Sequence, residues 1–263
     1  KSYVGKKRIK PMLEANNAAP QTVIQVNTLK ITTEELAKRL MDEHVEAQPH
    51  GWMPDCLILG ATGNLENLPS FKEGLFYVQD PAAKLSVLCA ELPEGENVKL
   101  LDCCAAPGGK SFAAAIALGG AGEITSCDVH AHKARIIANG AARLGIANIT
   151  ARQQDATQFV PEWEAAMDYV IADVPCSGYG IIRKKPDIRY KDLKELDALP
   201  ALQLAILENQ AAYVKKGGVL IYSTCTVLKR ENEDVVRAFL EKHDDYYLEP
   251  LELPAVFPKN ETG

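Results

Sequence analysis

Two cysteines, Cys176 and Cys225, stand where a reactive thiol would be useful, because each closely follows a short apolar run that predicts a β-strand. The predicted strands cover residues 168–172 and 219–222. If these strands are neighbours in a parallel sheet, the two thiols meet at the edge where such sheets bind ligands. A thiolate can form a covalent bond to a substrate, and adding to C6 of a pyrimidine makes C5 nucleophilic. Asp173, directly after the first strand, would support the charge that develops on the ring.

A glycine-rich loop follows another predicted strand, at residues 98–101, and precedes an alanine-rich helix. The loop consists of Cys104, Ala105, Ala106, Pro107, Gly108, Gly109 and Lys110. Glycines at a strand–helix turn let the backbone approach a ligand closely. The dinucleotide pattern G-x-G-x-x-G is absent, and the phosphate-loop pattern needs glycine where Cys104 stands. The loop therefore favours a ligand without a pyrophosphate and disfavours a nucleotide hydrolase.

Two aspartates predict what that ligand is. Asp128 ends the next predicted strand, at the spacing of about 20 residues from the loop that suits an acid binding ribose hydroxyls. Asp155 follows the third predicted strand and would hold an adenine edge. Either aspartate alone could equally cap a helix. Both together with the loop favour a nucleoside ligand, and S-adenosylmethionine fits as the cofactor.

The elements that must position these residues alternate between strand and helix from about residue 75 onward. Strands are predicted at 98–101, 123–127, 149–153, 168–172, 219–222 and 246–253, and helices at 131–144, 199–213 and 231–243. The helix at 131–144 is expected to turn Ile136, Ile137 and Leu144 inward, and residues 216–218 are expected to stop the helix at 199–213. Such alternation predicts an α/β fold with a parallel sheet and helices on both faces.

The first part of the chain has a different pattern. Residues 23–26 and 56–59 are predicted strands, and Thr32 with Glu35 forms a capping box that begins a helix. A loop at 60–69 marks a boundary. The predicted domains are therefore a small α+β unit at 1–68 and a larger α/β domain at 69–263.

Composition excludes several classes of protein. The chain has 263 residues, enough to bury a core without disulfides or metal. Its seven cysteines are odd in number and form no C-x-x-C pair, so we expect no disulfide framework, no metal site and a reducing, cytoplasmic setting. No run approaches the roughly 20 apolar residues of a membrane helix, so no membrane partner is expected. The sequence does not begin with Met, so we expect a fragment of a longer chain.

The net charge of −6 alone disfavours extensive nucleic-acid binding, but the charge is unevenly distributed. A basic run after Cys176 contains Arg183, Lys184, Lys185 and Arg189, and continues to residue 194. Such a patch can bind phosphates on an acidic protein. The alternative is a solvated surface loop.

The motifs at 101–110, 173–178 and 224–226, with those at 77–82 and 182–188, resemble RNA (cytosine-5) methyltransferases. The resemblance is strongest to the bacterial RsmB (Sun/Fmu) type. It implies a Rossmann-like S-adenosylmethionine-dependent methyltransferase domain at 69–263, preceded by a linker and RNA-binding subdomain. It also implies methyl transfer to C5 of a cytosine in small-subunit (16S) ribosomal RNA through a covalent Cys225–C6 adduct.

The same resemblance implies residue roles. Cys225 matches the nucleophile, Cys176 the cysteine that assists product release, and Asp173 the acid beside the base. Residues 104–110, together with Asp128, Asp155 and Asp173, match the cofactor contacts. Arg183, Lys184, Lys185 and Arg189 are expected to bind RNA.

Two residues depart from the family pattern: Thr226 stands where Ser is more usual, and Tyr179 where a smaller residue or Thr is common. Neither removes a reacting group. A helical RNA-binding domain before residue 1 and a final strand after residue 263 are expected in the parent protein. We expect a monomer that acts on ribosomal RNA. The alternatives are another RNA, such as tRNA, as substrate, or a non-catalytic RNA-binding module that retains the fold.

Overall fold

The computed structural model describes residue 5 and residues 7–251. Its helices are α1 Ile9–Asn17, α2 Thr33–Asp42, α3 Pro69–Lys72, α4 Pro81–Leu88, α5 Gly109–Ala117, α6 Ala131–Leu144, α7 Leu199–Ala211 and α8 Glu233–Leu240. Its strands are β1 Thr22–Val26, β2 Ala47–Pro49, β3 Cys56–Leu59, β4 Phe76–Val78, β5 Lys99–Asp102, β6 Glu123–Asp128, β7 Ile149–Gln153, β8 Met167–Asp173 and β9 Val214–Ser223. No helix in this part of the chain is long and apolar enough to cross a bilayer.

The smaller sheet has the order β2-β3-β1-β4, and its strand pairs are antiparallel. Helix α2 packs on it through Leu36 and Leu40, both fully buried. The predicted capping box is present, because Thr32 accepts from the Glu35 backbone and Glu35 accepts from the Thr32 backbone. Strand β4 follows the predicted boundary at residue 68 but belongs to this sheet, so the smaller sheet extends past that boundary.

The larger sheet is fully parallel, with the order β7-β6-β5-β8-β9. The chain enters at β5, extends to β7 on one side, and returns to β8 and β9 on the other. The order reverses between β5 and β8, which creates the crevice in which open α/β sheets bind ligands. Asp102 pairs with Ser126 and Ile171 in register, and Asp173 pairs with Ser223. The predicted α/β class with a parallel sheet is confirmed.

The two units are joined by buried hydrogen bonds. Asn27 Nδ2, just after β1, donates to Leu144 O at 2.8 Å and to Gly74 O at 2.9 Å. Arg143 Nη1, in the last turn of α6, donates to Phe71 O at 2.6 Å. These bonds tie the smaller sheet to the helix that covers β6 and β7.

The predicted stop of the helix at 199–213 is wrong. Residues 216–218 do not stop α7, which ends at Ala211; they lie within β9. The cause is Tyr213, which is buried against Trp163 at 5.6 Å between ring centroids and whose hydroxyl accepts from Val160 N at 2.8 Å. Because Tyr213 is fixed in this position, α7 ends at Ala211 and β9 begins at Val214, before Gly217 and Gly218.

The strand predicted at 246–253 is also absent from its described residues, 246–251; the last two lie outside the described part. Tyr246 instead anchors this segment beside α8, since its ring lies 5.3 Å from that of Phe239 and its hydroxyl donates to Ala211 O at 2.8 Å. Pro250 has no backbone N–H to give to a ladder.

Candidate active site

Cys176 and Cys225 lie together at the carboxyl edge of the larger sheet. Cys176 follows β8 and Cys225 follows the adjacent β9, and their sulfur atoms are 3.1 Å apart. The backbone N–H of Cys225 also donates to Cys176 Sγ at 3.3 Å. Both are free thiols, with Cys225 exposed and Cys176 half-buried. The parallel topology thus places the two sulfurs at one point.

The contact between the sulfurs makes the two thiols different. A hydrogen bond from the Cys176 thiol lowers the pKa of Cys225 to about 7, and the charges of Lys110 and Lys185 act in the same direction against burial and Asp173. The same hydrogen bond, with burial, raises the pKa of Cys176. The lowered pKa favours the thiolate form of Cys225 near neutral pH. A thiolate, and not a thiol, is the nucleophilic form of cysteine.

Asp173 is held by two side chains from neighbouring elements. Lys110 Nζ, from the first turn of α5, lies 2.7 Å from Asp173 Oδ2. Ser223 Oγ, at the end of β9, donates to Asp173 Oδ1 at 2.8 Å. The lysine side chain is only 12% exposed, whereas the aspartate is 34% exposed. This ion pair connects the glycine-rich loop to the segment that carries Cys176.

The glycine-rich loop turns tightly between β5 and α5. Ala105 N donates to Cys127 O at 2.7 Å, which fixes the loop against the end of β6. Gly108 has φ +111°, and a Cβ atom there would lie 2.5 Å from the Phe112 ring. A Cβ at Gly109 would lie 3.0 Å from Gln79 Nε2. Glycine is therefore required at Gly108 both by conformation and by space.

Asp102, at the end of β5, is completely buried behind this loop. Ser111 Oγ donates to Asp102 Oδ2 at 2.7 Å, and Ser126 Oγ donates to Ser111 Oγ at 2.8 Å. The other carboxyl oxygen, Oδ1, is buried and has no hydrogen-bond partner among the described residues. Burial raises the pKa of Asp102 to about 7.

Asp128 and Asp155 lie at the ends of the next two strands, and each accepts a local backbone bond. Asp128 Oδ1 accepts from His130 N at 3.0 Å, and its Oδ2 is 3.8 Å from Lys133 Nζ. Asp155 Oδ1 accepts from Thr157 N at 2.9 Å and from its hydroxyl at 2.8 Å. Each thus stabilises a turn through Oδ1, and neither caps a helix, since His130 is the N-cap of α6 and no helix begins directly after Asp155.

These residues fit S-adenosylmethionine as the ligand of the crevice. The loop brings backbone close to the ligand, and Asp128 stands at the second strand end, where a ribose is bound in such sheets. The carboxyl groups of Asp102 and Asp173 suit a ligand that carries a sulfonium and an amino group, and Asp102 Oδ1 is an unused buried acceptor. The described residues contain no group of three or more His, Cys, Asp or Glu side chains that could hold a metal ion.

The four basic residues predicted to bind RNA have different surroundings. Lys184 Nζ forms an ion pair with Asp80 Oδ2 at 2.5 Å, and Arg189 Nη2 donates to Asn17 Oδ1 at 2.5 Å. Lys185 is exposed and close enough to Cys225 to lower its pKa. Arg183 is half-buried. Two of the four are therefore already engaged in contacts that hold the loop onto α1 and the start of α4.

Sequence analysis missed the side chains that hold the cysteine segments. Ser223 was not predicted to contact Asp173, although its place beside Cys225 in a Ser-Thr-Cys-Thr run was a usable signal. Glu231 is fully buried and accepts from Ser177 N, which no feature of the sequence indicates. Lys110 was predicted as a cofactor residue, and its amine also pairs with Asp173.

The parallel sheet, its glycine-rich loop and the aspartates at its edge define a Rossmann-like, S-adenosylmethionine-dependent methyltransferase fold. Within that class, this chain belongs to the RsmB/F family. The model of the 16S rRNA methyltransferase RsmB/F matches residues 89–261, and that of the RsmF/B-like, ferredoxin-like domain matches residues 2–66. The family expected from the sequence motifs is thereby confirmed.

Individual relatives agree with this assignment. A probable ribosomal RNA small subunit methyltransferase B of Bacillus subtilis (strain 168) is 37% identical over 86% of this chain and 51% of its own length. The crystal structure of PH0851 is 30% identical with a TM-score of 0.89, covering 94% of this chain and 56% of that one. A methyltransferase homolog protein from Pyrococcus horikoshii is 27% identical with a TM-score of 0.78, covering 91% and 75%. The chain spans about half the length of the curated relatives that it matches.

Proposed function

We propose that this chain transfers a methyl group from S-adenosylmethionine to C5 of a cytosine in small-subunit ribosomal RNA, through a covalent bond between Cys225 Sγ and C6. The observation that carries the proposal is the pair of sulfur atoms 3.1 Å apart beside Asp173. A methyltransferase acting on a small molecule or a protein has no need of two thiols at neighbouring strand ends. The names of the curated relatives support ribosomal RNA as the substrate.

The cofactor would be held by the glycine-rich loop, residues 104–110, by Asp128 at its ribose and by Asp155 at its adenine. S-adenosylmethionine, when bound, supplies an electrophilic methyl group. Asp173 borders this crevice and the thiol pair at once, because it ends β8 between them. In this proposal, cofactor and target base would lie on opposite sides of the Asp173 side chain.

Cys225 begins the reaction on the base. Its pKa of about 7 leaves a large fraction as thiolate near neutral pH. The thiolate sulfur bonds to C6, and the electrons of the C5–C6 double bond move onto C5, which becomes the nucleophile for the methyl group. A covalent step of this kind replaces one difficult barrier with two lower ones.

Asp173 and Lys110 act on the opposite edge of the ring. The aspartate, oriented by Ser223 and paired with Lys110, would contact the ring nitrogen and the amino group of cytosine. Preorganised charges of this kind stabilise a transition state because they need no reorganisation during the reaction. Within the pair, the carboxylate would accept a hydrogen bond from the cytosine amino group, and the positive charge of Lys110 would offset the electron density that Cys225 pushes into the ring.

Cys176 completes the cycle. After methylation, C5 loses its proton to a base, the double bond re-forms and the Cys225–C6 bond breaks. Cys176 stays protonated beside Cys225 because its pKa is raised by that contact. We assign it to product release, at which point its thiol stabilises the departing thiolate.

The target cytosine must leave any helix before this chemistry begins, because C5 and C6 are inaccessible inside a stacked duplex. Lys185 is exposed and near the sulfur pair, which supports a role in binding a flanking phosphate. Arg183, Lys184 and Arg189 belong to the same loop.

Methyl-labelled cofactor tests the proposal. We expect label in small-subunit RNA at 5-methylcytosine with the protein, and none with Cys225→Ala. Label in tRNA alone would assign a different RNA substrate. RNA binding without label in any RNA, from folded protein with intact Cys225, would instead support a non-catalytic binding module.

A further inference from the structure

Both chain neighbours of Cys176 are held by buried side chains from other elements. Pro175 O accepts from Gln203 Nε2 at 2.9 Å, and Ser177 N donates to Glu231 Oε2 at 2.8 Å. Gln203 Nε2 also donates to the same Glu231 oxygen at 3.0 Å. Neither Gln203 nor Glu231 has any exposed surface. We call these two side chains the Gln203–Glu231 clamp. The clamp bonds to the backbone on both sides of Cys176, in the segment of residues 174–178 that we call the cysteine segment.

The same hydrogen-bond network reaches the other cysteine. Ser177 Oγ lies 2.8 Å from Thr226 Oγ1, and Thr226 directly follows Cys225. Gly180 N donates to Cys225 O at 2.9 Å. The segment that carries Cys176 is thus fixed both to the clamp behind it and to the segment that carries Cys225.

The cysteine segment has no regular structure to hold it in place. Residues 174–178 belong to no helix or strand, and Gly178 has φ +80°. Backbone groups in such a segment need side-chain partners to keep one position. The clamp supplies the partners for Pro175 and Ser177.

Burying Glu231 is costly for the fold alone. A buried carboxyl group loses its hydration, and an unpaired one costs more than an apolar residue of similar size. Among the described residues, no ion pair to a cation involves Glu231, and its Oε1 is buried without a hydrogen-bond partner. Its position against the cysteine segment therefore has a better explanation in placing that segment than in stability.

We propose that Gln203 and Glu231 are positioning residues, which fix Cys176 so that its thiol meets Cys225 Sγ and sets the reactivity of Cys225. This inference rests on the proposed role of Cys225 as nucleophile. Hydrogen bonds weaken steeply as distance and angle depart from their best values, so a small shift of Cys176 is enough to weaken the contact. The clamp acts only through Cys176 and touches neither reacting atom.

A loosened clamp returns Cys225 towards the behaviour of an ordinary thiol, whose pKa is about 8.5. At neutral pH the thiolate fraction then falls roughly tenfold, whereas above about pH 10 it is nearly complete in every variant. Methyl transfer is expected to fall in proportion near neutral pH and to recover at high pH, with KM for RNA and cofactor little changed. A merely structural role would lower activity equally at every pH.

The test uses three variants and one control. Gln203→Met removes the two hydrogen bonds that Gln203 donates, with little change of volume, and Glu231→Ala removes the acceptor shared by Gln203 and Ser177. Glu231→Gln keeps an oxygen that can accept from Ser177 N. Glu241→Gln removes a carboxylate from an exposed position near the end of α8 and serves as the control. Only variants with the wild-type circular dichroism spectrum and a cooperative melt are compared, so Gln203→Met carries the test if Glu231→Ala fails to fold.

The first readout is the rate of Cys225 alkylation by iodoacetamide against pH, followed by mass spectrometry of the peptide that contains Cys225. We expect a midpoint near 7 for the wild type, Glu231→Gln and Glu241→Gln, and a higher midpoint for Gln203→Met and Glu231→Ala. Wild-type midpoints in the folded clamp variants would overturn the proposal.

The second readout, methyl transfer against pH, separates this inference from the proposed function, because alkylation needs no RNA. A shifted alkylation midpoint in protein that methylates nothing would leave the clamp established and refute the proposed function. Methyl transfer with an unchanged pH profile in the clamp variants would leave the function intact and refute the clamp.

Discussion

Lys110 Nζ lies 2.7 Å from Asp173 Oδ2, and this ion pair joins the two halves of the candidate active site. Lys110 belongs to the first turn of α5, directly after the glycine-rich loop, whereas Asp173 ends β8, three residues before Cys176. The side that would hold the cofactor is thereby linked to the side that would hold the base. Both partners also act on Cys225, Lys110 lowering its pKa and Asp173 raising it.

Asp173→Asn separates the effect of this carboxylate on the pKa of Cys225 from its effect on the target base. Removing its charge lowers the pKa of Cys225 further, so more thiolate forms at neutral pH. Methyl transfer should nevertheless fall about 100-fold, because the carboxylate that would hold the cytosine amino group and keep Lys110 beside the ring is lost. Single-turnover rates and Cys225 alkylation, measured together, check this. Slower alkylation along with slower methyl transfer would show that Asp173 acts through the thiol, contrary to the proposal.

Cys176→Ala is expected to trap a covalent protein–RNA complex. The variant lacks the thiol assigned to product release, so the bond between Cys225 and the base persists, while the pKa of Cys225 rises because its hydrogen bond is gone. Denaturing gel electrophoresis with labelled RNA measures the complex, which should form faster as the pH rises above 7. The Cys176→Ala/Cys225→Ala double variant is the control and should form none. Full turnover by Cys176→Ala without any trapped complex would remove Cys176 from the release step.

Asp102 gives the stability of the protein a pH dependence opposite to that of most aspartates. Its pKa is raised to about 7 in the folded protein by burial, whereas an unfolded aspartate titrates near 3.9. Its contribution to stability is therefore full below about pH 4 and is lost as the pH rises towards 7. Asp102→Asn should remove this decline, which melting temperatures between pH 4 and 8 would measure. Asp244→Asn, at an exposed carboxyl, is the control, and equal slopes in wild type and Asp102→Asn would contradict the assignment.

Gly108→Ala tests whether the glycine-rich loop is limited by space as well as by conformation. Gly95 offers a matched control, because it also has positive φ, +77°, but a Cβ there meets nothing within 4 Å. Alanine at either position costs about 1–2 kcal/mol for the left-handed backbone. Gly108→Ala should cost about 1–3 kcal/mol more through its clash with Phe112 and should weaken cofactor binding. Urea unfolding and calorimetric titration with S-adenosylmethionine measure the two effects; equal costs for the two variants would show that the loop relaxes.

Periodic elements were predictable from the sequence because their patterns are local. The helix at 131–144 and the strands at 56–59 and 149–153 have the predicted bounds. The orientation of adjacent residues on a helix was harder to predict. On α6, Ile137 is buried but Ile136 is 50% exposed, contrary to the prediction that both turn inward. Neighbours on a helix are about 100° apart, so a narrow buried stripe holds one of them and not both.

Contacts between distant residues were the part that sequence alone could not supply. The ends of parallel strands were expected to share one edge, which brings Cys176 near Cys225, but the distance between their sulfurs depends on loops of irregular backbone. The Glu231 contact with Ser177 joins residues 54 positions apart and leaves no periodic signal. The start of β9 likewise depends on the tertiary packing of Tyr213 against Trp163. The glycines at 217 and 218, which locally favour a turn, lie inside the strand instead.

The most direct test of the covalent mechanism uses small-subunit ribosomal RNA that contains 5-fluorocytidine. Fluorine at C5 cannot leave as the proton does, so the bond to C6 persists after methylation. After incubation with S-adenosylmethionine, digestion and mass spectrometry, we predict a methylated fluorocytosine bonded to the peptide that carries Cys225. The same adduct on the Cys176 peptide, or efficient methylation of ordinary RNA with no adduct on Cys225, would contradict the account.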